Sequence, residues 1–228
     1  MNEEQIKNLI KKDLGLNKNK LNESYVTQAK KYDLSTELLS AKSKSAHQAI
    51  LEKYVDNLNA ISAKLDSVSR DEANQNNSEF RSLKIDEIHS LNASILHAMF
   101  FENISDLKSI ITMDSLAFMR LERDFGSFDI WQKDFIACAL SARNGWAVLV
   151  YNEYIGRYMN IVIDQHSVNI PIGASIVLAL DCWEHSYYRD YLNDRKSYIY
   201  AMMKEINWTV IETRIEKCEK IAKVFGRK

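Results

Sequence analysis

The sequence predicts an α+β protein: an N-terminal antiparallel helical hairpin, then a domain in which helices flank a small three-stranded antiparallel sheet. Two observations carry this expectation. His47, Leu51, Tyr54, Leu58, Ile61 and Leu65 recur at steps of three and four, the spacing that gathers side chains on one face of an α-helix. After residue 144 the pattern changes: Gly145 to Tyr151 and Tyr158 to Ile163 read as strands joined by a turn near Asn152 to Gly156, and Ala174 to Leu180 reads as a third strand. Helices first, then strands, then helices is the order of an α+β architecture.

The elements follow in sequence. Residues 1 to about 25 mix lysine and asparagine with Leu9, Ile10, Leu14 and Leu16, which suggests a short helix and a polar connector. The first long helix spans about Ser45 to Leu65. Residues 67–84 are polar and weakly periodic, as in an exposed connection. A second long helix runs from about Ile85 to Asn103, with Ile88, Leu91, Ile95 and Met99 expected along its buried side. Two long helices joined by a polar segment form the hairpin. Phe125-Gly126-Ser127 opens another helical stretch with Phe128, Trp131, Phe135 and Leu140 among its apolar positions, and helices close the chain from about Glu184 to Lys223. This divides the chain into an N-terminal segment at 1–40, a helical hairpin domain at 41–110 and an α+β domain at 111–228.

Composition narrows the class. The chain has 228 residues, 46% hydrophobic and 27% charged, enough to build a core and unlike a disordered chain. A net charge of -1 argues against a general nucleic-acid binder, whose footprint is strongly basic. No apolar run reaches the length of a membrane span, and the polar, acidic start at Met1-Asn2-Glu3-Glu4 does not read as a secretory signal. Cys138, Cys182 and Cys218 are an odd number without CxxC spacing, so neither a disulfide framework nor a cysteine metal site follows. A reducing, cytoplasmic setting is the expectation.

Asp181 and His185 are the most suggestive local pair. The carboxylate ends a very apolar strand and the imidazole lies one helical turn further on, and carboxylate plus imidazole suits a first-row transition metal. The same pair also fits a helix N-cap followed by an incidental core histidine. His97, among apolar residues of the second helix, fits a hydrogen-bonded core histidine as well as it fits a ligand.

These residues meet a known family. Asp181-Cys182-Trp183-Glu184-His185-Ser186-Tyr187-Tyr188 resembles the D-x-W-E-H-A-Y-Y signature of iron/manganese superoxide dismutases. Leu96-His97-Ala98-Met99-Phe100-Phe101-Glu102-Asn103 is similar to the family's N-H-S-x-F-W-x-N helix segment, and Tyr54-Val55-Asp56-Asn57-Leu58-Asn59 to its Y-V-x-N-L-N. Phe125-Gly126-Ser127, Gly145-Trp146-Ala147 and Asn207-Trp208 resemble further landmarks in the same order. The resemblance covers about residues 45 to 212. It implies His97, Asp181 and His185 as metal ligands, Trp146 and Trp183 as walls of the metal pocket, and Tyr54 as the tyrosine at the substrate funnel. Glu184 matches a glutamate that reaches across a homodimer, and Tyr188 matches a bridging tyrosine at the same interface. Gln165 lies where manganese-type members carry a glutamine bonded to metal-bound solvent. Iron-type members supply that amide four residues before the second histidine, where this chain has Ala93, so manganese is expected over iron. His166, next to Gln165, takes that place instead if the loop differs by one residue.

The chain departs from the pattern at the first ligand. The family's histidines eight and four residues before the tyrosine are Ala46 and Ile50 here, while His47 lies seven before it. Either His47 is the ligand, shifted by one position, or His47-Gln48-Ala49 precedes an inserted turn and Lys42 occupies the ligand position. The first is the expectation, since a seven-residue step keeps His47 and Tyr54 on one helix stripe. The resemblance then implies one manganese or iron ion per chain held by His47, His97, Asp181 and His185, superoxide as substrate, and metal-dependent disproportionation to dioxygen and hydrogen peroxide. The rival expectation is a superoxide-dismutase-like subunit that keeps the fold as a structural or interaction component of a larger assembly.

Overall fold

The computed structural model describes residues 25–105 and 109–224 of the chain, and the short helix expected near the N-terminus falls outside them. The elements are α1 (Ala41–Leu65), α2 (Glu79–Asn103), α3 (Leu116–Phe125), α4 (Phe128–Ser141), β1 (Gly145–Asn152), β2 (Arg157–Asp164), β3 (Ala174–Asp181), α5 (Glu184–Tyr191), α6 (Arg195–Lys204) and α7 (Trp208–Val224). Serine sets the start of α1 to α4. Ser40, Ser78, Ser115 and Ser127 are extended, and each accepts a hydrogen bond from the backbone N–H three residues on. Such caps place α1 and α2 earlier than apolar spacing alone did. They also define α3, which the apolar spacing left unassigned: Ser115 opens it and Gly126, at φ 89°, closes it in the left-handed conformation glycine favours.

Helices α1 and α2 pack antiparallel, so His47 near the start of α1 meets Phe101 near the end of α2, and Tyr54 faces His89. Residues 25–32 run extended along this pair, held by Tyr25 N–H to Ser62 Oγ at 2.7 Å and Tyr32 N–H to Gln48 Oε1 at 2.9 Å. The buried face of α2 differs from the expected one. Leu83, Ser90, Ala93, Leu96, His97, Phe100, Phe101 and Asn103 point inward, while Ile88 is 48% and Ile95 40% exposed. Both stripes satisfy helical spacing. The two phenylalanines bury more apolar area than the isoleucines, and the small Ser90 and Ala93 sit on the same inward face.

The sheet has the order β2-β1-β3, antiparallel throughout, with β1 in the centre and buried along its whole length. Its register sets Trp146 opposite both Ile163 and Asp181. A Cβ at Gly145 would overlap the carbonyl oxygen of Ile163, so glycine is what lets β2 approach the start of β1. The outer side of β3 is closed by side chains rather than by another strand. Arg214 donates to Val177 O at 2.8 Å, Asn103 Nδ2 to Ala179 O at 2.7 Å, and Tyr198 Oη to Asp181 O at 2.9 Å. These bonds satisfy edge carbonyls that would otherwise be buried unpaired. Arg214 also donates to Asn103 Oδ1 at 2.7 Å, so α2, α7 and β3 are tied at one point.

Asn103→Ala strands the Ala179 carbonyl and one Arg214 donor together. It is expected to lower unfolding free energy by about 2–4 kcal/mol, read as a reduced urea midpoint at unchanged m-value.

Candidate metal centre

One strand end and three helices converge here. Asp181 is the last residue of β3 and fully buried; His47 comes from α1, His97 from α2 and His185 from the first turn of α5. Asp181 Oδ2 lies 2.9 Å from His47 Nε2, 3.1 Å from His185 Nε2 and 3.7 Å from His97 Nε2. Its other oxygen, Oδ1, accepts from the backbone N–H of Trp183 at 2.9 Å. One ligand atom from each of the four side chains lies within 4.8 Å of all the others. Atoms bound at about 2 Å to one cation are spaced by roughly 3–4 Å, so the set has the size of a coordination sphere.

The protonation pattern suits a cation. His97 Nδ1 donates to Ala93 O at 2.7 Å, which fixes the neutral tautomer with its lone pair on Nε2. That buried nitrogen has no hydrogen-bond partner and points at the carboxylate. Burial pushes the His97 pKa down to about 3, beyond what Asp181 restores. It lowers His47 as well, against the pull of Asp181. Burial also opposes ionisation of Asp181, but the facing His185 and His47 overcome it and hold the carboxyl far below the usual range. His185 is desolvated too, yet Asp181 outweighs this and raises it. With the Nε2 protons that His47 and His185 now share with Asp181 given up, the four side chains would form a donor set of three nitrogens and one oxygen, suited to manganese or iron.

Aromatic side chains wall the cluster. Trp146 meets His97 edge-on at 5.0 Å, Phe101 meets His47 at 4.9 Å, and Trp183 stacks on His185 at 5.8 Å. Beyond them lies His166, fully buried, whose Nε2 is 2.9 Å from Tyr54 Oη and whose Nδ1 accepts from Trp146 Nε1 at 3.0 Å. An indole N–H can only donate, so Nδ1 carries the lone pair and Nε2 the hydrogen. His166 is therefore neutral, in keeping with burial pushing its pKa down to about 4.

Gln165 requires a correction. It is exposed, at φ 54°, and its backbone N–H donates to Asn144 O at 2.7 Å. The bridge between Asp164 and Val168 closes a tight turn that swings Gln165 outward and His166 inward. Of the two candidates for the first ligand, His47 joins the cluster, whereas Lys42 is exposed. Helix α1 is uninterrupted, and seven residues return to within about 20° of the same helical face. Glu184 and Tyr188 lie on the exposed side of α5; with Ala46, Ile50, His185 and Arg189, they line an open cavity of about 440 Å³. The sequence reading missed His89, whose ring lies 4.9 Å from His166 and 6.2 Å from Tyr54. Its one sequence signal is a spacing of two helical turns before His97.

A buried set of three histidines and one aspartate, spread over three helices and a strand end, defines a metal-binding α+β protein. The comparisons give the family. The family described as iron/manganese superoxide dismutases, C-terminal domain, matches residues 114–214. The chain is 34% identical over 176 residues to an iron superoxide dismutase of Aquifex aeolicus, covering 76% of this chain and 82% of that protein. It is 35% identical over 188 residues to one from Methanothermobacter thermautotrophicus, covering 80% and 87%. A manganese superoxide dismutase of Halobacterium salinarum is 37% identical over 132 residues, 58% of this chain and 65% of that one. The chain belongs to the iron/manganese superoxide dismutase family.

The histidines give the metal-free chain a defined acid sensitivity. His97 and His166 have folded pKa values of about 3 and 4, below the ordinary imidazole value, so between there and about 6.5 the unfolded chain binds more protons. Their contribution is fully present above that window and is lost as pH falls through it. Melting temperature of the metal-free protein is expected to drop from pH 7 to pH 5, and less steeply in His166→Gln, whose amide can make both bonds without titrating.

Proposed function

We propose that the chain is a superoxide dismutase, catalysing metal-dependent disproportionation of superoxide to dioxygen and hydrogen peroxide. The observation that carries this reading is the unpartnered, buried Nε2 of His97 within a complete three-nitrogen, one-oxygen donor set. His47, His97, His185 and Asp181 would hold one ion per chain. When bound, that ion supplies the one-electron exchange, taking an electron from one superoxide and giving one to the next. The preference for manganese rests on Gln165 and Ala93; with Gln165 outside the site, the donor set serves manganese and iron alike.

The protein's own residues prepare the reaction. Trp146, Trp183, Phe100 and Phe101 keep bulk water from the ligand atoms, which strengthens every charge interaction inside. The Trp183 N–H holds Asp181 Oδ1, leaving Oδ2 to face the histidines. His166 donates through Nε2 to Tyr54 Oη and so orients the phenol proton away from itself, available to a reduced product. In this reading Tyr54 moves protons and His166 fills the orienting role expected of Gln165.

A second copy of the chain is the proposed partner on the α1/α5 face. Ile50, Glu184 and Tyr188 form an open surface there, and the His185 side chain, 24% exposed, is the least covered member of the donor set. Burying that surface completes the enclosure of the site. No helix among the described residues is long and apolar enough to cross a membrane. The three unpaired cysteines support a reducing, cytoplasmic compartment.

Purified protein is expected to carry about one manganese or iron per chain, by elemental analysis, and to dismute superoxide. His47→Ala is expected to lose both; unchanged metal content in that variant would place the first ligand elsewhere. Absence of metal and of activity after reconstitution would favour the structural-subunit alternative. Sedimentation should report a dimer, and Glu184→Ala together with Tyr188→Ala should shift it toward monomer by roughly tenfold or more in dissociation constant.

A further inference from the structure

Resting on that reading, the next question is how protons reach Tyr54. Three imidazoles adjoin its ring among the described residues: His97 at 5.5 Å, His166 at 5.0 Å and His89 at 6.2 Å. His97 has no spare nitrogen, because Nδ1 is bonded to Ala93 O and Nε2 faces Asp181. His166 is a closed end: conduction through an imidazole needs one nitrogen to receive a proton while the other releases one, and Nδ1 is occupied by the Trp146 indole, which has no proton to exchange. His89 differs from both. It is only partly buried, its ring makes no hydrogen bond among the described residues, and it stands edge-on to His166 at 4.9 Å.

We propose that His89 is the group through which solvent protons reach Tyr54, passing through one bridging water. The two rings stand 6.2 Å apart, centroid to centroid, and no hydrogen bond joins them among the described residues, so a bridging water is the link the transfer requires. The transfer balances without any co-reactant. Tyr54 Oη releases its proton to the peroxide product as a new O–H bond forms there. The bridging water protonates Oη and takes a proton from a His89 N–H, and bulk solvent restores His89. The chain ends as it began, and one solvent proton has been delivered. The α1/α5 opening is lined by Ile50 with Glu184, His185, Tyr188 and Arg189, and neither His185 nor Tyr188 has a ring contact with Tyr54 among the described residues, whereas His89 on α2 does.

The test is fast kinetics of superoxide decay on metal-loaded wild type, His89→Gln and His89→Ala, with metal content measured on each. His89→Gln keeps polarity and approximate size but cannot donate a proton as an acid. Both variants are expected to retain wild-type metal content and to lose roughly tenfold in kcat, with KM falling in parallel so that kcat/KM is nearly unchanged. Added imidazole should restore kcat in His89→Ala, whose cavity admits it, and leave His89→Gln unaltered. A merely structural role would not respond to imidazole. Unchanged kcat in both variants, or a loss that imidazole does not relieve in His89→Ala, would overturn the inference while leaving the dismutase reading intact. A wild-type protein with neither metal nor activity would overturn both.

Discussion

One carboxylate oxygen, Asp181 Oδ2, organises this molecule, because three imidazole nitrogens from three helices lie within 3.7 Å of it. A buried, ionised carboxylate is costly unless its charge is answered on every side. Oδ1 is satisfied by a backbone N–H, whereas Oδ2 is left to three histidines of which only two form hydrogen bonds. The arrangement is frustrated in the metal-free chain and relieved by a cation, which turns competing donors into ligands. Ion binding and stability should therefore be strongly coupled. Much of the surrounding structure exists to keep Asp181 in place. Trp146 pairs with it across β1, Tyr198 holds its carbonyl, and the Asn103–Arg214 junction fixes the rest of β3 and the end of α2.

Around that charge the walls are aromatic, and the polar atoms in them are used once each. Trp146 spends its only donor on His166, and His166 spends its only donor on Tyr54. This chain of single commitments has a direction, from the protein interior toward the phenol. It fixes an imidazole tautomer through two hydrogen bonds, and burial outweighs the pull of Asp181 to keep His166 neutral. Trp183 stacks on both His166 and His185, so its ring joins the two halves of the site by packing while its N–H remains unpaired.

How much of this the sequence disclosed depends on how local each cause is. Asp181 and His185 were legible because a strand end and one helical turn bring them together whatever the remainder of the chain does. The sheet was legible because β1 runs almost wholly apolar from Trp146 to Tyr151, as suits a central strand buried on both faces. The buried face of α2 was misjudged because Ile88 and Ile95 obey the same period as Leu96 and Phe100, and only packing against α1 and β3 selects between the stripes. The exchange of Gln165 for His166 rests on a left-handed residue and a bridge from Asp164 to Val168, neither of which leaves a mark in residue spacing. His89 was invisible for a related reason: it acquires meaning only from neighbours 35 and 77 positions away, Tyr54 and His166.

The displaced histidine on α1 ties these points together. A helix presents a face, and a ring two turns from Tyr54 reaches the cluster whether counting gives seven residues or eight, provided its direction is right. Seven residues satisfy that condition in an unbroken helix, so His47 can serve where Ala46 stands in the family's register. The change has a consequence on the other side of the helix turn. Ala46 and Ile50, neither of which can carry a proton, now line the α1/α5 opening beside Glu184, His185, Tyr188 and Arg189. The imidazoles beside the phenol ring are on α2 and on the turn after β2, and of these only His89 is partly exposed and makes no hydrogen bond among the described residues. Moving the ligand by one position and moving proton supply to another helix are, on this view, two parts of one structural solution.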